Sequence, residues 1–131
     1  MRTEQLVLGS VFSAMGLGTM LFPRHVYELC FVKEFVEHAS LSPSMRLVIQ
    51  CFGSQATLCG FTILSTKWDS VAYRNFAFAM VPYLIFDGYF FYCGALTPLG
   101  ALGDLFGNVV FLACCWKGYD RCRKEETGTK K

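Results

Sequence analysis

Four stretches of this chain, at about residues 5–22, 43–65, 70–92 and 98–119, are apolar over the roughly 20 residues that a helix needs to cross a hydrocarbon core about 30 Å thick. Nothing else in the sequence constrains the fold as strongly. A backbone in lipid finds no water for its N–H and C=O groups, so each such run has to close its hydrogen bonds internally as a helix. The chain has 131 residues, and four spans with short connections use nearly all of them. The expectation is an all-α integral membrane four-helix bundle of up-down topology over residues 1–120, followed by a charged, unstructured tail at 121–131. The composition agrees: 53% of residues are hydrophobic and 17% charged, against about 25% charged in a soluble domain.

Local signals punctuate the spans. The first run is stopped by Pro23-Arg24. A cleaved signal peptide, with Arg2 ahead of an apolar core and Ala14-x-Gly16 as a small-residue site, is the competing reading. Glu4, and the continuation of the run past Gly16, favour a span. In the longest connection, 24–42, Val26, Leu29, Cys30, Val32 or Lys33 and Val36 recur at helical spacing with Glu28, Glu34 and Glu37 between them. That pattern predicts a short interfacial helix. Ser42-Pro43 and Thr97-Pro98 read as an N-cap followed by proline at the first helical position. Lys67-Trp68-Asp69 forms a tight turn, and Pro82 is expected to kink the third span.

Charge sets the orientation. With four spans, Arg2, Lys67, Arg74, Lys117, Arg121, Arg123, Lys124, Lys130 and Lys131 share one side. Arg24, Lys33 and Arg46 lie on the other. The positive-inside rule then puts both termini in the cytoplasm, or in the matrix or stroma of an organelle. A basic tail beside a span reads on anionic lipid or topology, and nucleic acid is not an expected partner.

Helices in lipid associate through small residues. Ser10, Ala14 and Gly18 recur every four residues in the first span, with Gly9, Ser13 and Gly16 beside them. The second span offers Gly53, Ala56 and Gly60, and the fourth offers Gly100, Gly103 and Gly107. The expected packing face is Ser10, Ala14, Gly18, Gly103 and Gly107, serving the bundle or a docked partner. The aromatic residues of the third span read mainly as core or lipid contacts, with Tyr89 and Tyr92 in an interfacial belt.

Two acids lie within spans, Asp87 and Asp104. An aspartate at mid-bilayer costs about 2.5–3.5 kcal/mol, so it faces the bundle interior and finds partners. Helix directions bring Arg46, Gln50, Asp87, Asp104 and Asn108 to similar depth in the outer half, with Arg24 and His25 above them. One reading is structural, with Arg46 as counter-ion and Gln50 and Asn108 completing the hydrogen bonds. The other makes the cluster the floor of a pocket for a lipid head group, sterol or quinone.

The seven cysteines form no C-x-x-C, and the histidines no zinc spacing, so neither a metal nor a cofactor is expected. Cys51 and Cys59 read as core residues. Cys30 and Cys93 share the outer side, where a disulfide is possible. Cys114, Cys115 and Cys122, near Lys117 and Arg121, are candidate palmitoylation sites. No nucleotide-binding, hydrolase or metalloprotease motif is present.

Leu21-Phe22-Pro23 closing the first span, Arg46 leading a glycine-containing second span and Arg74 opening the third resemble the DoxX-like group of small four-helix membrane proteins, over roughly residues 6–119. The resemblance implies the fold; a few members of that group are associated with quinone-linked sulfur oxidation. The small sterol-isomerase-like group also places acids within its spans. The functional expectation is a non-enzymatic accessory or structural subunit of a membrane complex, or a lipid-associated protein, with membrane lipid and a protein partner or second copy as partners. The alternative is a small-ligand pocket protein, or an enzyme, that uses Asp87 and Asp104.

Overall fold

A computed structural model describes residues 2–33 and 41–128. Among these the fold is all-helical: α1 (Thr3–Leu21), α2 (Pro23–Cys30), α3 (Pro43–Ser65), α4 (Ser70–Tyr92) and α5 (Pro98–Gly128). The extended backbone contributes one isolated antiparallel bridge, Phe31 with Leu96. Helices α3 and α5 are long and apolar enough to cross a membrane. The α1–α2 pair, bent by 100°, counts as a third if it is one span. Helix α4 matches α3 in length but carries Arg74, Asn75 and Asp87 inside it.

The caps explain the boundaries. Ser42 Oγ accepts the Met45 N–H at 3.2 Å, Asp69 Oδ1 the Ala72 N–H at 2.8 Å and Thr97 Oγ1 the Gly100 N–H at 3.0 Å. Each side-chain oxygen satisfies an N–H that a helix start leaves open. Helix α4 ends on Gly94, whose φ of 73° lets the Ala95 N–H reach Phe90 O at 2.9 Å and the Gly94 N–H reach Phe91 O at 3.0 Å. That pair of bonds is a Schellman cap, which needs a left-handed residue at this position. Helix α4 runs unbroken through Pro82.

In the 24–42 connection the expected helix is realised only as far as Cys30. Phe31 is extended, and the Val32 N–H is taken by Ala95 O at 2.9 Å, so Phe31 and Val32 leave the helix to pair with the α4–α5 turn. The rest of that expectation, with Glu34, Val36, Glu37 and His38, lies outside the described residues, as do Lys130 and Lys131.

The tightest helix contact is α1 against α3, and its face differs from the expected one. Ser10 and Ala14 are exposed, and a Cβ added at Gly18 would meet nothing within 4 Å. The true seam is Gly9, Ser13, Gly16 and Met20 against Gly53, Thr57, Gly60 and Leu64. Both sets follow the i, i+4, i+7, i+11 stripe that tracks a 3.6-residue helix; a strict four-residue interval drifts off it. The helices run antiparallel, so Gly9 meets Gly60 and Gly16 meets Gly53. Gly103 and Gly107 likewise have open space where a Cβ would stand. The close approaches of α5 are at Gly100, against the Cys30 backbone, and Gly118, against the Tyr73 ring.

The α1–α3 pair meets the α4–α5 pair across a core of Leu8, Ile63, Tyr73, Met80, Phe111, Cys115 and Cys122. Phe12 stacks on Phe111 at 4.7 Å and meets Phe76 edge-on at 5.7 Å. Although consecutive in the chain, α3 and α4 make no close backbone contact. Leu58, Cys59, Trp68 and Phe76 line a lateral cleft of about 330 Å³ between them.

The segment after Arg121 is helical, not unstructured, up to Gly128. The physical reason is a set of polar ties to the other helix ends. Arg2 bonds Glu125 at 2.5 Å and Trp68 O at 3.0 Å. Arg121 bonds Glu4 at 3.1 Å. Ser70 Oγ donates to Glu126 at 2.8 Å. Gln5 donates to Ile63 O and Thr66 O, both at 2.6 Å, filling carbonyls that the end of α3 leaves open.

Candidate functional site

Along α4 the inward stripe passes Tyr73, Met80 and Asp87; along α5 it passes Gly100, Asp104, Asn108, Phe111 and Cys115. The acids therefore sit on the seam of the α4–α5 pair, at the end nearest the α4–α5 turn. Asn108, 6% exposed, donates from Nδ2 to Asp87 Oδ2 at 3.1 Å and to Asp104 Oδ2 at 3.3 Å. One amide thus bridges two carboxylates on different helices, using both of its N–H groups. The carboxylates are half-buried. Tyr83 on α4 and Cys30 on α2 lie within electrostatic reach of them. Burial, then the Asp104 charge, pushes the Cys30 thiol up.

The expected five-residue cluster does not assemble as one unit. None of the ion pairs among the described residues joins Arg46 to either aspartate. Gln50 Nε2 instead donates to Met20 O at 3.2 Å. The reason is the helix arrangement: α3 packs its backbone on α1 and α2 and makes no close backbone contact with α4 or α5. Similar depth in the sequence reading did not imply the same side of the bundle. Arg46 lines a second feature with Arg24 and His25, a cavity of about 490 Å³ where α1, α2 and α3 converge.

The cysteines divide by burial. Cys115 and Cys122 are each 1% exposed and belong to the core, so neither thiol is presented for acylation. Cys114, adjacent on α5, is half-buried. Cys30 and Cys93 are both free thiols. Sequence reasoning missed the inward placement of Glu4 and Gln5, 6% and 4% exposed. Their spacing to Leu8 on the same helix stripe was the available signal.

The fold and site together describe an all-α protein with at least two membrane-length apolar helices and a carboxylate–amide–carboxylate link between two of its long helices. No protein-family model, no curated protein and no solved structure matches the chain.

Proposed function

We propose that this chain is a multi-pass membrane protein, a four-helix up-down transmembrane bundle with both termini on the cytoplasmic, matrix or stromal side. Its role is non-enzymatic: an accessory or structural subunit of a membrane complex, or a lipid-associated protein. The observation that carries this reading is the belt of exposed apolar side chains on all four long helices. It extends from Leu6 to Leu21 on α1, Leu47 to Phe61 on α3, Val71 to Tyr92 on α4 and Leu99 to Trp116 on α5. At 1.5 Å per residue the segments are roughly 21–32 Å long, close to a hydrocarbon core. A monomer in water does not expose a continuous apolar band of that size. Beyond Trp116 the exposed positions of α5 become charged, with Lys117, Arg121, Arg123 and Lys124 ahead of Glu125 and Glu126, which fits a helix emerging on the side richer in Lys and Arg. The DoxX-like resemblance supports the same bundle.

A second reading rests on a different observation. The Asp87–Asn108–Asp104 link is half-buried with no cation partner among the described residues, which suits hydrogen bonding to the hydroxyl or carbonyl of a sterol or quinone. Native mass spectrometry after mild detergent extraction separates the two. A stoichiometric protein partner is expected on the first reading. A lone protomer or homo-oligomer carrying one defined quinone or sterol, lost on Asp87→Asn, would replace it with the second.

A further inference from the structure

At the outer end of the bundle α1 stops at Leu21, α2 leaves at 100°, and α3 begins at Pro43. Their junction holds the half-open cavity of about 490 Å³ noted above. That volume lies within the range of small-molecule sites, about 300–1,000 Å³. Its lining carries Arg24, His25 and Arg46 against one acid, Glu28. Glu28 is engaged by Arg24 Nε at 2.8 Å, and Arg24 holds its carboxyl below the ordinary carboxylate range. The terminal nitrogens of Arg24, and the whole Arg46 guanidinium, have no acceptor among the described residues. Two guanidiniums on different helices therefore edge one cavity with unspent donors. Tyr27 in the lining is buried, 6% exposed. Two apolar lining residues are open to the surroundings: Leu21 is 70% and Phe22 58% exposed.

We propose that this mouth binds a phosphate diester, carried by the head group of an anionic phospholipid in the outer leaflet. The proposal rests on the membrane reading above. Guanidinium donors match phosphate oxygens in forked pairs. The exposed leucine and phenylalanine rim, at the outer edge of the apolar belt, supplies a surface along which acyl chains run from the head group. A soluble phosphate would gain nothing from that rim, and this contrast selects the lipid as the source. The site is separate from the Asp87–Asn108–Asp104 link, which repels an anion.

The test uses the full chain in nanodiscs of phosphatidylcholine with a minority of phosphatidylglycerol, with bound lipid read by native mass spectrometry after release into detergent. The wild-type protein should retain phosphatidylglycerol in preference to phosphatidylcholine. Arg24→Gln and Arg46→Gln should each weaken that preference about fivefold, and the pair about thirtyfold, at one surface-cation contribution apiece. Lys33→Gln, an outer cation outside the cavity lining, should leave it unchanged. Equal enrichment in the wild type and the double variant overturns the proposal, as does an equal loss with Lys33→Gln. Retention of added inorganic phosphate with no lipid preference assigns the guanidiniums to a soluble anion and overturns it too. Failure to enter nanodiscs at all, with carbonate-extractable protein, refutes the membrane reading and is visible before any lipid is counted.

Discussion

Two glycines of one helix, Gly16 and Gly18, should respond to the same substitution with opposite sign. A Cβ at Gly16 would lie 2.6 Å from Gly53 O and less than 3.0 Å from the Thr57 amide nitrogen. Both are backbone atoms that cannot rotate away. The α1–α3 pair would have to separate along its length, since its other contacts at Gly9, Gly53 and Gly60 are equally close. Overpacking of this kind costs about 1–3 kcal/mol or more. Against it, alanine is the better helix former by about 0.8–1 kcal/mol. The net expectation for Gly16→Ala is a loss of up to about 2 kcal/mol. At Gly18 a Cβ meets nothing within 4 Å, so only the propensity gain remains and Gly18→Ala should stabilise by up to about 1 kcal/mol. Reversible unfolding in mixed detergent micelles, followed by circular dichroism, measures both. Equal shifts of the same sign would refute the assigned seam and return the packing face to Ser10, Ala14 and Gly18.

Asn108→Ala should destabilise the protein by about 1–3 kcal/mol, because it leaves two carboxylates without their shared donor; the same unfolding assay reads it. On sealed vesicles, a membrane-impermeant maleimide should modify the exposed Cys93 from the face opposite the termini. Cys115 and Cys122 should stay unmodified until the protein is denatured, with burial pushing the Cys122 thiol up as a further brake. Ending the chain after Asp120 should lower the unfolding midpoint, because Arg2, Glu4 and Ser70 all lose their α5 partners; an unchanged midpoint would count against the polar ties as the reason that α5 extends to Gly128.

Helix boundaries were legible wherever the chain carries its own local cap. Ser42-Pro43 and Thr97-Pro98 each combine a side-chain acceptor with a fixed backbone angle, Asp69 supplies the acceptor alone, and the observed starts of α3, α4 and α5 fall there. The link between Asp87 and Asn108 was legible too, since an acid on an apolar helix has to face partners. The Arg46 partnership was not. Depth along a helix follows from counting residues, but which neighbour a helix leans on depends on close packing of the other pairs. Here the glycine seam commits α3 to α1, and that fixes Arg46 on the α2 side. The helical tail was illegible for a related reason: its charges look solvated until Arg2, Glu4 and Ser70, distant in sequence, arrive beside them.

The glycines divide into two sets with different consequences. Gly9, Gly16, Gly53, Gly60 and Gly118 are filled by neighbouring atoms of the same chain, so substitution there acts on folding. Gly103 and Gly107 have open space where a Cβ would stand, and alanine there leaves the fold's own contacts intact. Helix propensity alone would favour alanine at both positions, so folding gives no reason for glycine. If the accessory-subunit reading holds, Gly103→Leu should remove the chain from its complex while the unfolding midpoint of the isolated protein stays the same or rises. Loss of both together would mean that α5 is held by contacts at Gly103 within this chain, and the two sets would collapse into one. Retention of the complex with Gly103→Leu and with the Gly103→Leu/Gly107→Leu pair would remove this face of α5 as the surface on which a subunit docks.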